Sequence, residues 1–269
     1  MSRVKIAMVG AAGRMGRRIV SLIQEDDNCE LSGALEYSEC PFIGNDAGDV
    51  AGCGKIGIEI TDDIDKAFAG ADVFIDFTGV EPTMANLEKY KKAGVAAIIA
   101  STGMTAEQTA ELEKMSENLP VLFSPNMSVG VNLTFKILEQ IAKVTGDDWD
   151  VEIVESHHRM KKDAPSGTAM KMGEVIANTL GRDIEKDGAF SRHGIIGERT
   201  DKEIGMQTLR AGDIVGEHTV MFCTNGERIE LTHRAHTRDM FAKGAIRAAK
   251  WMKDKPNGFY DMFQVLGLD

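Results

Sequence analysis

Cysteine is scarce in this sequence, and long apolar runs and an excess of basic residues are missing. The 269 residues include only four cysteines, without a CxxC pair, so the sequence predicts neither a zinc site nor a disulfide framework. No apolar run reaches the roughly 18 residues that a bilayer-spanning helix needs, and the N-terminus lacks the apolar core of a signal peptide. We therefore expect no membrane partner and a cytoplasmic location.

The charge balance is acidic. The chain has 31 Lys and Arg residues against 42 Asp and Glu residues, a formal net charge of −11 at pH 7. This balance argues against a nucleic acid partner, because binding to phosphates needs a basic surface. Hydrophobic residues (43 %) and charged residues (27 %) occur at ordinary globular levels, so we expect one large domain or two modest ones.

The first half of the chain alternates short β-branched runs with amphipathic stretches. This alternation is typical of an α/β protein with a doubly wound parallel sheet. Pro82 suits the first position of a helix, Thr105 and Gln108 form a capping-box pattern, and Gly94 suits a helix end. The predicted strands are 4–9, 31–35, 73–77 and 96–100, and the predicted helices are 14–24, 82–93 and 106–118.

The pattern changes after residue 126. Three later runs alternate with period two, and Asn225-Gly226 between the last two is a hairpin signal. A last amphipathic helix ends before Pro256 and could pack on either domain. We therefore predict an α+β domain with an antiparallel portion. Its predicted helices are 131–144 and 169–180, its predicted strands are 151–155, 205–210, 216–222 and 228–233, and the last helix is 241–252.

A glycine-rich turn follows the first predicted strand. Gly10, Gly13 and Gly16 form a GxxGxxG variant that opens an amphipathic helix. Such glycines allow a tight turn, close approach to a pyrophosphate and close helix packing, while the helix N-terminus attracts the phosphate charge. The acid expected about 20 residues further on is Glu36, which would bind the adenosine ribose. An ordinary glycine-rich turn and a solvated Glu36 are the alternatives.

The residue after this acid bears on the choice of cofactor. The carboxylate of Glu36 repels a 2′-phosphate, and Tyr37 stands where an arginine could neutralise one. The sequence therefore favours NADH over NADPH, although the nearby Arg14 and Arg17 weaken this inference. Later strand ends add support, because ligands of open α/β sheets lie at the carboxyl ends of the strands. These ends are Phe77-Thr78-Gly79, Ser101-Thr102-Gly103 and Ser124-Pro125-Asn126-Met127.

Residues 155–169 carry the strongest chemical signal. From His157 to Lys171 the chain has four basic residues and one acidic residue, and such a concentration of cations implies an anionic ligand. Ser166-Gly167-Thr168, at the start of a predicted helix, can offer that ligand backbone N–H groups. His158 and Lys161 add proton donors to His157. The alternatives are a solvated basic loop and a metal site, for which neither a His-Glu-x-x-His pattern nor a nearby cysteine supplies the further ligand.

These motifs resemble those of a known family. Similarity to bacterial 4-hydroxy-tetrahydrodipicolinate reductase (dihydrodipicolinate reductase) is carried by His157-His158-Arg159-x-Lys161-x-Asp163-x-Pro165-Ser166-Gly167-Thr168-Ala169 and by Gly10-x-x-Gly13-Arg14-Met15-Gly16. The resemblance covers essentially the whole chain, with further matches at 76–78, 126–132 and 210–218. It implies NAD(P)H-dependent reduction of 4-hydroxy-tetrahydrodipicolinate to tetrahydrodipicolinate in diaminopimelate and lysine biosynthesis.

The resemblance also implies an architecture. A Rossmann-type domain of residues 1–128 and 239–269 would bind the dinucleotide. An α+β domain of residues 129–238 would bind the substrate, a small dicarboxylate heterocycle, and would form a homotetramer. Hinges are expected near residues 128–129 and 238–239.

By similarity, the roles of individual residues are as follows. His157 is the general acid/base, and Lys161 donates a proton to the charge that develops in the ring as hydride arrives. Which of the two delivers the decisive proton stays open. The implied substrate contacts are His158, Gly167 and Thr168. The implied cofactor contacts are Gly10, Ala11, Ala12, Gly13, Arg14, Met15, Glu36, Ala100, Ser101, Thr102, Ser124, Pro125, Asn126 and Met127, and no metal is implied.

Three positions depart from the family pattern. Ala100-Ser101-Thr102-Gly103 replaces a common Gly-Thr-Thr-Gly, which bears on a nicotinamide contact. Tyr37 replaces the arginine of members that use both cofactors, and Met160 replaces a histidine of some members. Two other functions stay open, namely another two-domain nicotinamide dehydrogenase acting on an amino or keto acid, and a redox sensor that binds a dinucleotide and an anion without turnover.

Overall fold

The computed structural model describes residues 2–268, which form two compact units. The first unit contains residues 2–129 and 239–268, and the second contains residues 130–238. Among the described residues, no helix is both long and apolar enough to cross a bilayer.

The first unit is built on a seven-stranded sheet. Its strands are β1 (Val4–Val9), β2 (Cys29–Leu35), β3 (Ile60–Thr61), β4 (Val73–Asp76), β5 (Ala96–Ile99), β6 (Pro120–Phe123) and β12 (Gly258–Tyr260). Its helices are α1 (Arg14–Gln24), α2 (Ala47–Ala51), α3 (Ile64–Phe68), α4 (Val80–Ala93), α5 (Ala106–Met115), α9 (Asp239–Met252) and α10 (Met262–Leu266). The strand order is β12-β6-β5-β4-β1-β2-β3, and all neighbours are parallel. The predicted Rossmann-type doubly wound sheet is therefore confirmed.

Both faces of this sheet are buried. Ile6 and Met8 belong to one apolar cluster, which also contains residues of α1 and α9. Ala7 and Val9 point to the opposite face and belong to a second cluster with residues of α4 and α5. The strands are thus covered on both sides, which explains their almost continuously apolar sequences.

Two helix ends of the first unit differ from the prediction. α4 begins at Val80 after an N-cap at Gly79, so Pro82 is the third helical residue rather than the first. Proline fits there because the first-turn N–H groups have no partner within the helix. α5 ends at Met115, three residues before the predicted end. The capping box of Thr105 and Gln108 is confirmed, and Gly94 ends α4 with a left-handed φ of 65°.

The second unit contains a five-stranded mixed sheet. Its strands are β7 (Asp150–His157), β8 (Gly188–Ala189), β9 (Ile204–Arg210), β10 (Gly216–Thr224) and β11 (Glu227–Ala235), and its helices are α6 (Val129–Thr145), α7 (Gly167–Thr179) and α8 (Ile184–Asp187). The order is β11-β10-β7-β9-β8, with antiparallel pairs among β11, β10 and β7 and parallel pairs among β7, β9 and β8. Asn225-Gly226 makes the predicted hairpin turn between β10 and β11.

Candidate active site

The glycine-rich turn between β1 and α1 has the close contacts that its sequence predicts. Gly10 has a φ of 76°, and a Cβ there would lie 2.8 Å from Cγ2 of Thr78. A Cβ on Gly16 would lie 2.0 Å from the carbonyl oxygen of Gly10, so α1 packs on the turn only with glycine at this position. Gly13 is exposed and forms the N-cap of α1. The turn therefore presents bare backbone at a helix N-terminus, which suits a pyrophosphate.

Glu36 directly follows β2 and contacts this turn. Its Oε1 atom accepts a hydrogen bond from the Ala12 amide at 2.8 Å. The Arg17 guanidinium donates to the Ala12 carbonyl oxygen at 2.6 Å and lies 4.6 Å from the centre of the Phe42 ring. The acid predicted to bind the ribose is thus joined to the turn predicted to bind the phosphates.

A cleft of about 1010 Å³ opens beside the turn, at the upper end of the usual range for small-molecule sites. The predicted cofactor residues in its wall are Gly10, Ala12, Gly13, Arg14, Met15 and Glu36. Ala11 is instead buried in the core. The wall also contains Tyr37, Phe77 and Thr78. Sequence reasoning did not single out Phe42, Asn86 and Lys89, which line the cleft but carry no motif of their own.

The other predicted cofactor residues follow β5 and β6. These strands are parallel to β1, so the residues lie at the same edge of the sheet as the turn, outside the wall of the cleft. Thr102 and Pro125 are exposed, Asn126 is half-buried, and Ala100, Ser101, Ser124 and Met127 are buried.

A buried carboxylate supports this edge of the sheet. Asp76, the last residue of β4, accepts hydrogen bonds from the hydroxyl groups of Thr78, Thr83 and Tyr90 at 2.6, 2.9 and 3.0 Å. Burial raises the pKa of Asp76, and these hydrogen bonds oppose the rise. The Thr83 hydroxyl also lies 2.9 Å from the Ser101 hydroxyl. The cluster therefore joins the ends of β4 and β5.

In the second unit, β7 runs two residues beyond its predicted end and finishes at His157. Its neighbours place Glu155 between Thr208 of β9 and His218 of β10, and they place Arg210 beside His157. Paired residues share a face of the sheet, as do residues two apart on one strand. The register therefore collects five polar side chains on one face.

The centre of this group is Glu155, which is fully buried. His157 Nδ1 lies 2.6 Å from its Oε2 atom, and Arg210 donates to both carboxylate oxygens at 2.9 and 2.8 Å. The Ser166 amide and the Thr208 hydroxyl donate to Oε1 at 3.0 and 3.2 Å. Burial raises the pKa of Glu155, but the bonds from His157 and Arg210 outweigh this effect and hold the pKa at about 2. Glu155 is therefore ionised at neutral pH.

A second buried histidine lies next to this pair. The His218 ring stands edge-on to the His157 ring at 5.2 Å, and its Nε2 atom lies 3.0 Å from the Ser166 hydroxyl. The same hydroxyl accepts a hydrogen bond from the Ala169 amide and so caps α7. Burial, followed by the electrostatic effect of the neighbouring His157 side chain, lowers the pKa of His218 to about 4. His218 is therefore uncharged at neutral pH and supports the start of α7.

The other predicted catalytic and substrate residues lie between β7 and the first turn of α7. Lys161 Nζ contacts the two carboxylate oxygens of Asp163 at 2.9 and 2.8 Å. The Nδ1 atom of His158 is buried and has no hydrogen-bond partner within residues 2–268. Gly167 and Thr168 open α7, and the space that a Gly167 side chain would fill is vacant. An unpaired imidazole nitrogen, a lysine and a helix N-terminus together suit an anionic ligand.

Sequence reasoning missed Glu155, Arg210 and His218 as members of this group. A signal existed for the first of them, because Glu155 stands two residues before His157 and would share its face if the strand continued. Because the predicted strand ends at Glu155, the sequence analysis does not predict contact between Glu155 and His157. In the part of the chain that the structure describes, no cluster of three or more His, Cys, Asp or Glu side chains could hold a metal ion.

Comparison with protein families distinguishes among the functions that the sequence left open. A family model described as dihydrodipicolinate reductase, N-terminus, matches residues 4–127. The model described as dihydrodipicolinate reductase, C-terminus, matches residues 130–266. The chain belongs to this family. The relationship predicted from the histidine-rich string and the glycine motif is confirmed.

Members of the dihydrodipicolinate reductase family match the chain over almost its full length. Proteins named 4-hydroxy-tetrahydrodipicolinate reductase from Geobacter sp. (strain M21) and Syntrophotalea carbinolica are 56 % and 53 % identical to it over 265 residues. These matches cover 98 % of this chain and 99 % of each relative.

Two solved structures show the same fold at lower identity. Dipicolinate-bound dihydrodipicolinate reductase from Paenisporosarcina sp. TG-14 has a TM-score of 0.73 at 23 % identity, covering 97 % of this chain and 98 % of that one. GenD2 from gentamicin A biosynthesis, in complex with NAD, has a TM-score of 0.56 at 15 % identity, covering 94 % and 86 %. These two likenesses concern the fold alone.

Proposed function

We propose that this protein reduces 4-hydroxy-tetrahydrodipicolinate to tetrahydrodipicolinate with NAD(P)H, a step of diaminopimelate and lysine biosynthesis. The relatives that are 56 % and 53 % identical bear the name of this activity, and the family matches span both units. The observation that carries the proposal is the group formed by His157, Lys161 and the N-terminus of α7. It combines proton donors with a binding place for carboxylates.

The roles of the residues follow from their chemistry. The reaction adds a hydride and a proton and releases the 4-hydroxyl group as water. His157 acts as general acid/base through Nε2, because its Nδ1 atom is engaged by Glu155. Lys161 donates a proton to the ring as negative charge develops there. In the free protein, the Lys161 ammonium group is held by the Asp163 carboxylate.

The substrate is a heterocycle with two carboxylates, and we assign its recognition to the second unit. The unpaired Nδ1 atom of His158 and the first-turn amides of Gly167 and Thr168 would bind the carboxylates. A relative solved with dipicolinate, another heterocyclic dicarboxylate, supports this assignment.

The cofactor fits the first unit, where the bare glycine turn, the Glu36 carboxylate and the cleft lie together. The bound nicotinamide nucleotide supplies the hydride. Gly10 to Met15 would hold its phosphates, and the residues after β5 and β6, Ala100 to Thr102 and Ser124 to Met127, would face the nicotinamide half. We propose that NADH binds better than NADPH, because Glu36 repels a 2′-phosphate and a tyrosine at position 37 cannot supply the positive charge of an arginine.

The test is the loss of NADH absorbance, and separately of NADPH absorbance, when the freshly condensed product of pyruvate and aspartate semialdehyde is added. We expect oxidation of both cofactors, faster with NADH at equal subsaturating concentrations. His157→Gln or Lys161→Ala should lower turnover by roughly 10²-fold, as expected for a positioned proton donor, with NADH affinity nearly unchanged. Lys162→Ala is the matched control, because this exposed neighbour has no assigned role.

Two results would overturn the proposal. Binding of NADH without substrate-dependent oxidation would favour a dinucleotide sensor, and oxidation with an amino or keto acid instead would favour a different dehydrogenase.

We also propose a cytoplasmic location. The four cysteines are free, as expected in a reducing compartment.

A further inference from the structure

We propose that Glu155 is the positioning residue for His157, holding its neutral imidazole in the Nδ1–H tautomer so that Nε2 exchanges the proton with the substrate. The catalytic meaning of this arrangement rests on the proposed reduction. The tautomer itself is a property of the free protein and can be measured without any substrate.

The hydrogen bonds around Glu155 fix the direction of its bond with His157. An ionised carboxylate can only accept hydrogen bonds, so the Nδ1 atom of His157 must donate across the 2.6 Å separation. The charge is retained in a fully buried position because Arg210 donates to both oxygens and is itself held by the Asp163 carbonyl oxygen at 2.6 Å. Within residues 2–268, Nε2 of His157 has no hydrogen-bond partner. The ring therefore presents one free nitrogen.

The backbone beside that nitrogen is kept clear. A Cβ added to Gly216 would lie 3.1 Å from Nε2 of His157, so a larger residue on β10 would press on the reacting atom. The side chain of His157 is only 11 % exposed, which limits the directions from which a ligand can reach it. Position and orientation of the ring are thus set by the sheet rather than by the loop that follows.

Glu155 also connects the imidazole to the proposed substrate site. Its Oε1 atom accepts the Ser166 amide at 3.0 Å, and Ser166 is the N-cap of α7. Gly167 and Thr168 follow directly. One carboxylate therefore fixes the proton-exchanging ring and the start of the anion-binding helix relative to each other, which is the arrangement needed for a reacting atom to meet the proton donor.

The experiment compares Glu155→Gln with the unchanged protein by ¹⁵N NMR of the full chain labelled at histidine, at alkaline pH where imidazoles are neutral. The His157 signals are assigned from their absence in His157→Gln. In the unchanged protein we expect the Nδ1–H tautomer. In Glu155→Gln, the amide oxygen should take the Oε1 position, where Ser166, Thr208 and Arg210 all donate. The amide NH₂ then faces Nδ1, which must accept, and His157 should switch to the Nε2–H tautomer.

Glu152→Gln is the matched control. Glu152 lies on the same strand and is also clamped by an arginine, with Arg192 donating to its two oxygens at 2.9 and 2.7 Å, but it contacts no histidine. The Glu152→Gln variant should leave the His157 signals unchanged. In the activity assay, Glu155→Gln should lower turnover by about 10²-fold without changing NADH affinity, as expected for an imidazole held in the wrong tautomer, and Glu152→Gln should not.

The outcomes separate this proposal from the proposed function. An Nε2–H tautomer in the unchanged protein, or an unaltered tautomer in folded Glu155→Gln, would overturn the positioning role even if the reductase activity is found. If Glu155→Gln does not fold, the spectrum of the unchanged protein decides alone. A tautomer switch in a protein without reductase activity would support the positioning role and leave the reaction to be reassigned.

Discussion

Three acidic side chains near strand ends are held in three different ways. Asp76 is buried among hydroxyl groups, and burial raises its pKa. Glu155 is buried against Arg210 and His157 and keeps its charge. Glu36 is only half-buried and has the Ala12 amide as its donor. The same functional group thus has three different sets of donors, and we propose that it serves packing at Asp76, positioning of an imidazole at Glu155 and recognition of a ribose at Glu36.

Glu36 should control cofactor choice at the level of a single residue. Glu36→Ala should weaken NADH binding and raise the NADPH to NADH ratio of kcat/KM, because it removes both a ribose acceptor and the repulsion of a 2′-phosphate. Glu39→Ala, an exposed change in the same loop, should leave the ratio as it was. Steady-state kinetics with both cofactors check this. An unchanged ratio in Glu36→Ala would show that the carboxylate does not face the ribose.

His218 should make folding stability depend on pH. Its pKa is about 4 in the folded protein against 6.5 for the free side chain, so between these values the unfolded chain binds the extra proton. Stability rises with pH in this window and is lost as pH falls from 6.5 to 4, by on the order of 3 kcal/mol.

Replacing His218 with a residue that does not titrate should flatten this dependence. His218→Gln should lose less stability than the unchanged protein as pH falls from 6.5 to 4, measured by urea unfolding across that range. His193→Gln, at an exposed histidine, is the control and should keep the full loss. If the free energy of unfolding changes equally with pH in all three proteins, His218 is not protonated on unfolding in this range.

At the scale of elements, both proposed ligand sites lie at helix starts without acidic residues. The first turns of α1 and α7 contain no Asp or Glu, as is also true of α6 and α10, whereas those of α2, α3, α4 and α5 each contain one. An acid in the first turn satisfies the helix dipole from within the chain. Its absence leaves the positive end available to an anion, for which we propose a pyrophosphate at α1 and a carboxylate at α7.

The glycines of the α1 turn should have separable roles. A Cβ on Gly16 would lie 2.0 Å from backbone oxygen, so Gly16→Ala should lower the free energy of unfolding by about 1–3 kcal/mol. Gly13 has an ordinary φ of −71°, and a Cβ there would lie 3.2 Å from the nearest atom. Gly13→Ala should therefore cost less stability than Gly16→Ala and should lose NADH affinity, by about tenfold or more, because the methyl group would occupy the proposed pyrophosphate position.

Urea unfolding and NADH titration of the two variants check this division. Gly13 and Gly16 act as controls for each other, since the same methyl group is added one turn apart. Equal losses of stability in the two variants would mean that Gly13 is also needed for packing.

Local patterns predicted most elements and the glycine turn, because periodicity and turn residues are properties of neighbouring positions. Local patterns failed where pairing between strands decides the length of a strand and the neighbours of its side chains. β7 continues to His157 only because β9 pairs with it as far as Arg210. The bond between Glu155 and Arg210 joins residues 55 positions apart, which no local pattern reveals. The polar group around Glu155 was therefore found only in the structure, although His157 within it was predicted.

At the scale of the whole molecule, the second unit exposes apolar side chains on its sheet and loops. Leu209 of β9 and Ile229 of β11 are 48 % and 41 % exposed, and Ile195 and Ile196 between β8 and β9 are more exposed still. A contiguous exposed apolar patch is typical of contacts between protein chains, whereas single exposed apolar side chains occur on any protein surface. We propose that these side chains lie in the contacts of the homotetramer that the family resemblance implies.

Light scattering at micromolar concentration tests this proposal. We expect a mass about four times the 29.3 kDa of one chain. Ile229→Lys should lower that mass by placing a charge in the contact, and Tyr37→Lys, at an exposed residue of the first unit, should not. A mass near 29.3 kDa for the unchanged protein would refute the tetramer.

The last segment of the chain belongs to the first unit, and this order has a consequence for biosynthesis. α9 covers one face of the parallel sheet, and β12 adds its outermost strand beside β6. Ribosomes deliver the chain from its N-terminus, so one apolar face of the nascent first unit is covered only in part, by α1, while residues 130–238 emerge. The second unit is contiguous in sequence and has all its strands before that cover arrives. Folding on the ribosome should therefore finish in the unit that was begun first.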